Sequence, residues 1–166
     1  MGSTLLETNR SRQPGFYGAL RPFVTAGTLL VLVASSLSQA GPSAGSIRVE
    51  INGLRNDKGQ VMCALFSSAK DFPKNTDKAI ARATAGILQR RAVCEFAGIS
   101  PGRYALSVFH DENGNGKMDT NFIGMPREGV GASNNAIGHF GPPKFEAAAI
   151  WYSGGQLELV ITVIYL

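Results

Sequence analysis

Nine consecutive residues, Asp111-Glu112-Asn113-Gly114-Asn115-Gly116-Lys117-Met118-Asp119, place oxygen-bearing side chains at positions 1, 3, 5 and 9 of a short loop, with glycine at position 6. A hard cation such as Ca2+ takes six to eight oxygens around a point, and this spacing lets one turn supply most of them. The glycine permits the sharp bend that brings the first three ligand positions to one centre. At position 7 the ligand is a backbone carbonyl, so the lysine side chain of Lys117 is no obstacle. Position 12, where a bidentate Glu closes such a loop, is Phe122. The expected set is therefore Asp111, Asn113, Asn115, the Lys117 carbonyl and Asp119, completed by Glu128, the nearest downstream carboxylate. With so few charges, Ca2+ affinity is expected at the weak end of the range, roughly 10⁻⁴ to 10⁻³ M. The alternative is a metal-free turn, since Asn, Asp and Gly tolerate positive φ and bond their own backbone.

Other chemistry is less well supported. His110 and His139 are the only histidines, and with Ser133 they supply the parts of a hydrolase. No Gly-x-Ser-x-Gly elbow surrounds that serine. Asp111 and Glu112 are chain neighbours and point apart, whereas a glycosidase needs its two carboxylates across a cleft. The pair reads as one ligand and one solvent-exposed partner. Trp151 and Tyr152 read as core. His110 reads as a strand-end residue hydrogen-bonded into the long loop. An enzyme is not the expected class.

The elements that position these residues are short strands. Ile47, Val49 and Ile51 alternate with polar residues, which marks a half-buried strand. Asn56-Asp57-Lys58-Gly59 is turn chemistry, and Gln60 to Phe66 follows as a more apolar strand, so the two runs are expected to form a hairpin. Thr76 or Asp77 can cap one or two helical turns. A weak strand is expected near Ile87-Leu88, and another over Ala92 to Phe96. After the Pro101-Gly102 turn, Arg103 to His110 delivers the chain into the cation loop. Residues 111–146 then hold ten glycines or prolines. A loop that long is usually functional, and His110, Asn121, Ser133, Asn134, His139 and Phe145 are its candidate recognition residues. Two closing strands follow around Ser153-Gly154-Gly155, the last expected to be central and well covered. The fold class is all-β: a single antiparallel sandwich of about seven strands with at most one short helix.

Arg10, Arg12 and Arg21, the apolar run Phe23 to Leu37 and then Ser38-Gln39-Ala40 have the order of a secretory signal. The run is too short and too diluted for a spanning helix, which needs about 20 apolar residues, so no permanent membrane anchor is expected. The organisation is thus residues 1–40 signal, 41–45 linker and 46–166 sandwich, with an exported protein as the outcome. Cys63 and Cys94, an even pair in an exported chain, read as one disulfide tying two strands. The formal net charge is +4, but the basic residues are scattered and only Arg90-Arg91 are adjacent. That excludes a nucleic-acid footprint.

Ordered motifs add a resemblance. Gly59-Gln60-Val61, Pro101-Gly102-Arg103-Tyr104-Ala105, His110 to Lys117, Gly124-Met125-Pro126, Ser133-Asn134-Asn135 and Gly141-Pro142-Pro143-Lys144-Phe145 resemble the bacterial exported family catalogued as domain of unknown function 2141. The resemblance spans residues 46–165 and implies no particular activity. More distantly, the strand, Pro-Gly-x-Tyr turn and Asp-x-Asn-x-Asn-Gly loop are similar to prealbumin-like repeats of bacterial surface adhesins. That implies an immunoglobulin-like or prealbumin-like sandwich stiffened by calcium. In those repeats the acidic residue follows the loop closely, whereas here Asn121 to Arg127 intervene before Glu128. The expected function is recognition of a protein or cell-envelope polymer, with a purely structural module as the alternative. If the signal is processed as read, N-terminal sequencing of protein recovered from the envelope starts at Gly41. A retained Met1 on cytoplasmic protein contradicts export.

Overall fold

The computed structural model describes residues 45–166. The expected signal, residues 1–40, lies outside the described residues, as do linker residues 41–44. Eight strands follow in chain order: β1 (Gly45–Asn52), β2 (Gln60–Phe66), β3 (Ala81–Ala85), β4 (Ala92–Ile99), β5 (Gly102–Asp111), β6 (Gly129–Ala132), β7 (Ile150–Tyr152) and β8 (Gln156–Thr162). Among the described residues one α-helical turn, α1, spans Phe145–Ala148. A three-stranded sheet has the order β4-β1-β8. A second sheet has the order β3-β2-β5-β6, with β7 pairing the start of β5. The all-β expectation holds, with one strand more than expected.

The period-two pattern of β1 buries Ile47, Val49 and Ile51 completely. They meet Val61, Cys63 and Leu65 of β2, Leu106 and Val108 of β5, and Cys94 and Phe96 of β4 in one core between the sheets. β2 is apolar on both sides for a reason. Its other face, with Ala64 and Phe66, packs under Phe72, Phe145 and Ala148 in a second apolar layer. Edge-to-face contacts at 5.5 and 5.9 Å join Phe66, Phe72 and Phe145 there. The fold is a sandwich with an extra cover on one sheet.

Several expectations are corrected. β1 and β2 are not a hairpin: β1 pairs antiparallel with β4 and parallel with β8, while β2 pairs with β3 and β5. The turn at 53–59 carries the chain across the sandwich instead. β8 is therefore an edge strand, and Val160 on its outer face is exposed. Residues 76–78 make only a 3-10 turn. The strand expected at Ile87-Leu88 lies earlier, at Ala81–Ala85, and Leu88 and Arg91 form the bridge of the next turn. Trp151 is 81% exposed while Tyr152 is buried, because the two alternate across a strand. Gly98, at φ +76°, lies where the β1–β4 register shifts, and that bulge returns Ile99 to the core face.

Cys63 and Cys94 form the disulfide, with Cα atoms 6.6 Å apart. It joins β2 of one sheet to β4 of the other, so it fastens the two layers across the core. For a closed loop of this length the chain-entropy contribution is roughly 3–4 kcal/mol. Reduction, or the double change Cys63→Ala and Cys94→Ala, is expected to lower the melting temperature by on the order of ten degrees. Differential scanning calorimetry with and without reductant reads this directly.

Candidate functional site

At one end of the sandwich, β5 runs out into the loop 112–128, and β6 begins where that loop returns. The last residue of β5, Asp111, is completely buried. A buried carboxylate needs donors, and the chain supplies them. Asp111 Oδ1 accepts the Asn115 N–H at 3.0 Å, and Oδ2 accepts the Gly116 N–H at 2.9 Å and the Gln60 side-chain amide at 2.8 Å. Burial by itself would raise its pKa. The Gln60 amide and the Gly116 and Asn115 N–H groups outweigh that and hold the carboxyl below the ordinary aspartate value. Gly59 makes the approach possible. Its φ is +68°, and a side chain there would run into the Asp111 carbonyl.

The rest of the loop winds as the spacing requires. Asn113 Oδ1 accepts the Asn115 N–H at 3.0 Å, and Asn115 Oδ1 accepts the Lys117 N–H at 2.7 Å, two successive Asx turns. The amides of Asn113 and Asn115 donate to the two oxygens of Asp119 at 2.6 and 3.2 Å. Glu128, buried at the foot of β6, accepts the Glu112 N–H on one oxygen and the Asp119 N–H on the other, both at 3.0 Å. One carboxylate thus staples the start of the loop to its ninth position. Glu128 closes the loop despite the intervening residues, because 120–126 fold out as a separate tip. The Lys117 backbone lies within this wrap.

The expected ligand residues are therefore brought together, bonded to one another and to loop N–H groups. Among the described residues, no three His, Cys, Asp or Glu side chains are grouped as a metal-holding cluster. A cation here would rely largely on neutral amide and carbonyl oxygens. Asp111 Oδ2 already accepts two bonds, so the valence a hard cation would use lies on Asp111 Oδ1 and on the side-chain oxygens of Asn113, Asn115 and Asp119, each of which accepts one.

Behind the loop lies a buried polar network. The His110 ring is fully enclosed, with Nε2 2.7 Å from the Lys58 carbonyl and Nδ1 2.7 Å from the Tyr165 hydroxyl. A carbonyl only accepts, so Nε2 carries the proton; in the neutral ring Nδ1 accepts from the Tyr165 O–H. The Tyr165 oxygen in turn accepts the Arg55 N–H at 3.0 Å. Burial, with a smaller push from Glu112, raises the Tyr165 phenol above its ordinary pKa. His110 thus anchors the 53–59 turn and not the long loop, which corrects its expected role. Glu112 is half-buried and not a free solvent-facing group. Asn56 donates to one of its oxygens at 3.1 Å, and the Arg55 guanidinium sits 2.6 Å from the other. That second oxygen makes no hydrogen bond of good geometry, so charge compensates it. Burial pushes the Glu112 pKa up, but Asn56, Arg55 and His110 together bring it below the ordinary glutamate value.

The other candidate recognition residues divide. Ser133 is buried; its hydroxyl accepts the Leu106 N–H at 2.9 Å and donates to the Ala148 carbonyl. Asn134 donates to the Ala147 and Ala149 carbonyls at 3.2 and 3.0 Å. Phe145 is core. These three hold α1 against β5 and β6 and are structural, while His139 is exposed. His110 and Ser133 spend their hydrogen bonds on different partners, and the groove between residues 69–75 and 142–146 is lined by none of His110, His139 and Ser133.

What sequence reasoning missed is the tip. Thr120 and Pro126 form a bridge, and Asn121 Oδ1 accepts the Ile123 and Met125 N–H groups at 3.1 and 2.9 Å. The Asn121 N–H bonds the Met125 carbonyl at 2.8 Å. On this locked turn Phe122 is 98% and Ile123 69% exposed. Phe122 was legible only as the wrong residue at position 12.

A family model described as an uncharacterized protein conserved in bacteria (DUF2141) matches residues 49–159. No curated protein and no solved structure matches the chain.

Asp111→Ala is expected to destabilise the domain by about 3 kcal/mol, because it orphans three donors around a buried site. Asp111 and Glu112 have lowered pKa values in the fold. Their stabilisation is therefore full above the ordinary carboxylate range and is lost as pH falls through the lower folded values. Melting temperatures measured from pH 7 down to pH 2 should fall most steeply below about pH 4, and Asp111→Ala should flatten that fall.

Proposed function

Since the chain belongs to this uncharacterised bacterial family, whose description carries no activity, we propose its function from the geometry: a non-enzymatic, exported binding module whose calcium-organised loop recognises another component of the cell envelope. The observation that carries the reading is the pairing of a sealed loop base with an exposed apolar tip. Asp111 and Glu128 are buried and bonded, while Phe122 and Ile123 project from a turn capped by Asn121. A fold that spends buried carboxylates on fixing a loop, yet leaves a large aromatic ring on it uncovered, is arranged for a partner. Rigid presentation also lowers the ordering cost of binding.

Calcium enters as the organising ion. The loop oxygens of Asp111, Asn113, Asn115, Lys117 and Asp119 would hold it, with Glu128 nearest to completing the shell. Its role would be to tighten the wrap rather than to catalyse. The structural-module alternative draws support from the closed base alone and leaves the tip unexplained. The hydrolase alternative has no support from His110 and Ser133, whose bonds are committed elsewhere.

In calcium about tenfold above Kd, ligand binding to the folded state contributes roughly 1.4 kcal/mol, a rise of a few degrees in melting temperature. Asp111→Ala should abolish that rise, and Glu128→Ala should reduce it. Capture from envelope extract should weaken in chelator and on Phe122→Ser. Identical melting in calcium and chelator would remove the ion from the model, and capture insensitive to Phe122→Ser would remove the tip.

A further inference from the structure

We infer that the tip 120–126 inserts into the surface of an anionic lipid bilayer. The inference rests on reading this tip as the recognition element and names its partner. Three apolar side chains, Phe122, Ile123 and Met125, are exposed on it. They stand on a projecting turn, not on a flat face or in a groove. A projecting apolar wedge needs either a matching pocket or a fluid apolar phase that closes around it, and the charge beside it decides between them.

Lys117 and Arg127 flank the tip, are both exposed, and have no acidic side chain within ion-pair distance among the described residues. The acids of the same loop face inward. Asp111 and Glu128 are buried under N–H donors, and the Asp119 oxygens are taken by the amides of Asn113 and Asn115. What this loop offers outward is hydrocarbon with cations behind it. That order matches acyl chains beneath anionic headgroups. The Arg127 N–H is held by the Asp119 carbonyl at 2.9 Å, which fixes the backbone that carries this cation at the base of the tip. Three apolar side chains and two cations make a reversible contact, weaker than an anchor.

The test uses the whole chain carrying Trp151→Phe and Phe122→Trp, so that the only indole lies at the tip. Trp151 is an exposed residue away from this loop and its loss leaves the core intact. Vesicles of phosphatidylglycerol with brominated acyl chains should quench and blue-shift this indole, and vesicles of brominated phosphatidylcholine should do so far less. Adding Lys117→Gln and Arg127→Gln should weaken partitioning about thirtyfold, the factor corresponding to about 1 kcal/mol for each cation. Raised salt should weaken it in the same direction. Equal quenching by both lipids would overturn the anionic selectivity, and no quenching by either would overturn the inference. If quenching is absent while Phe122→Ser still lowers capture from envelope extract, the partner is a protein or polymer and the proposed function stands. If both are absent, both fall.

Discussion

The burial of one carboxylate at a strand end governs how this end of the molecule is built. Asp111 has no solvent exposure, and an ionised group in that position is tolerable only when donors surround it. Three arrive from two directions. Gln60 comes across the sheet as the register partner of Asp111, and the Asn115 and Gly116 N–H groups come from the chain curling back. The curl is thus a consequence of electrostatics at the strand end. It needs glycine at 114 and 116 because both take the left-handed backbone conformation, at φ +72° and +74°. Once curled, the loop has a ninth position that Glu128 can reach, and the second buried carboxylate repeats the solution.

The same end carries a second demand, because His110 is enclosed beside Asp111 and its two ring nitrogens also require partners. Lys58 and Tyr165 provide them, and Arg55 ties Tyr165 to Glu112. The Arg55 guanidinium lies 4.5 Å over the Tyr165 ring, which adds a cation–π contact to the network. The 53–59 turn, the strand end and residue 165 are therefore held by a polar cluster outside the apolar core. Such a cluster is costly when half satisfied and stiff when satisfied. Here every member but Glu112 Oε1 has a hydrogen-bond partner, and that oxygen faces the Arg55 guanidinium.

Much of this was legible in the residues. The odd-position oxygens of 111–119 predicted a wrap, and the wrap forms. Period-two patterning located β1, β5 and β8, and the cysteine pair located the bridge. Partnership was not legible, since alternation says which face is buried and nothing about which strand lies alongside. Hence β1 and β2, adjacent in the chain and separated by turn residues, were expected to pair and instead belong to different sheets. Ser133 and Phe145 looked available because they sit in a Gly-rich and Pro-rich stretch. Their burial depends on the second apolar layer over β2, which no local pattern announces. Trp151 and Tyr152 lie on a strand covered on one face only, and the three-dimensional register decides which of them faces out.

The parallel pairing of β1 with β8 has a kinetic side. Ser46 pairs with Gln156 and Asn52 with Thr162, so the first described strand acquires one of its two neighbours only when the last strand arrives. Contacts so distant along the chain raise contact order and slow folding. Until they form, Ile47, Val49 and Ile51 lie on a strand with one open edge, the kind of segment that associates with other copies. β4 alone can cover the other edge in the meantime. A chain of this design gains from being kept apart from its copies until its final strand is present, so dilution or a holding chaperone should matter more to its yield than the strength of its core.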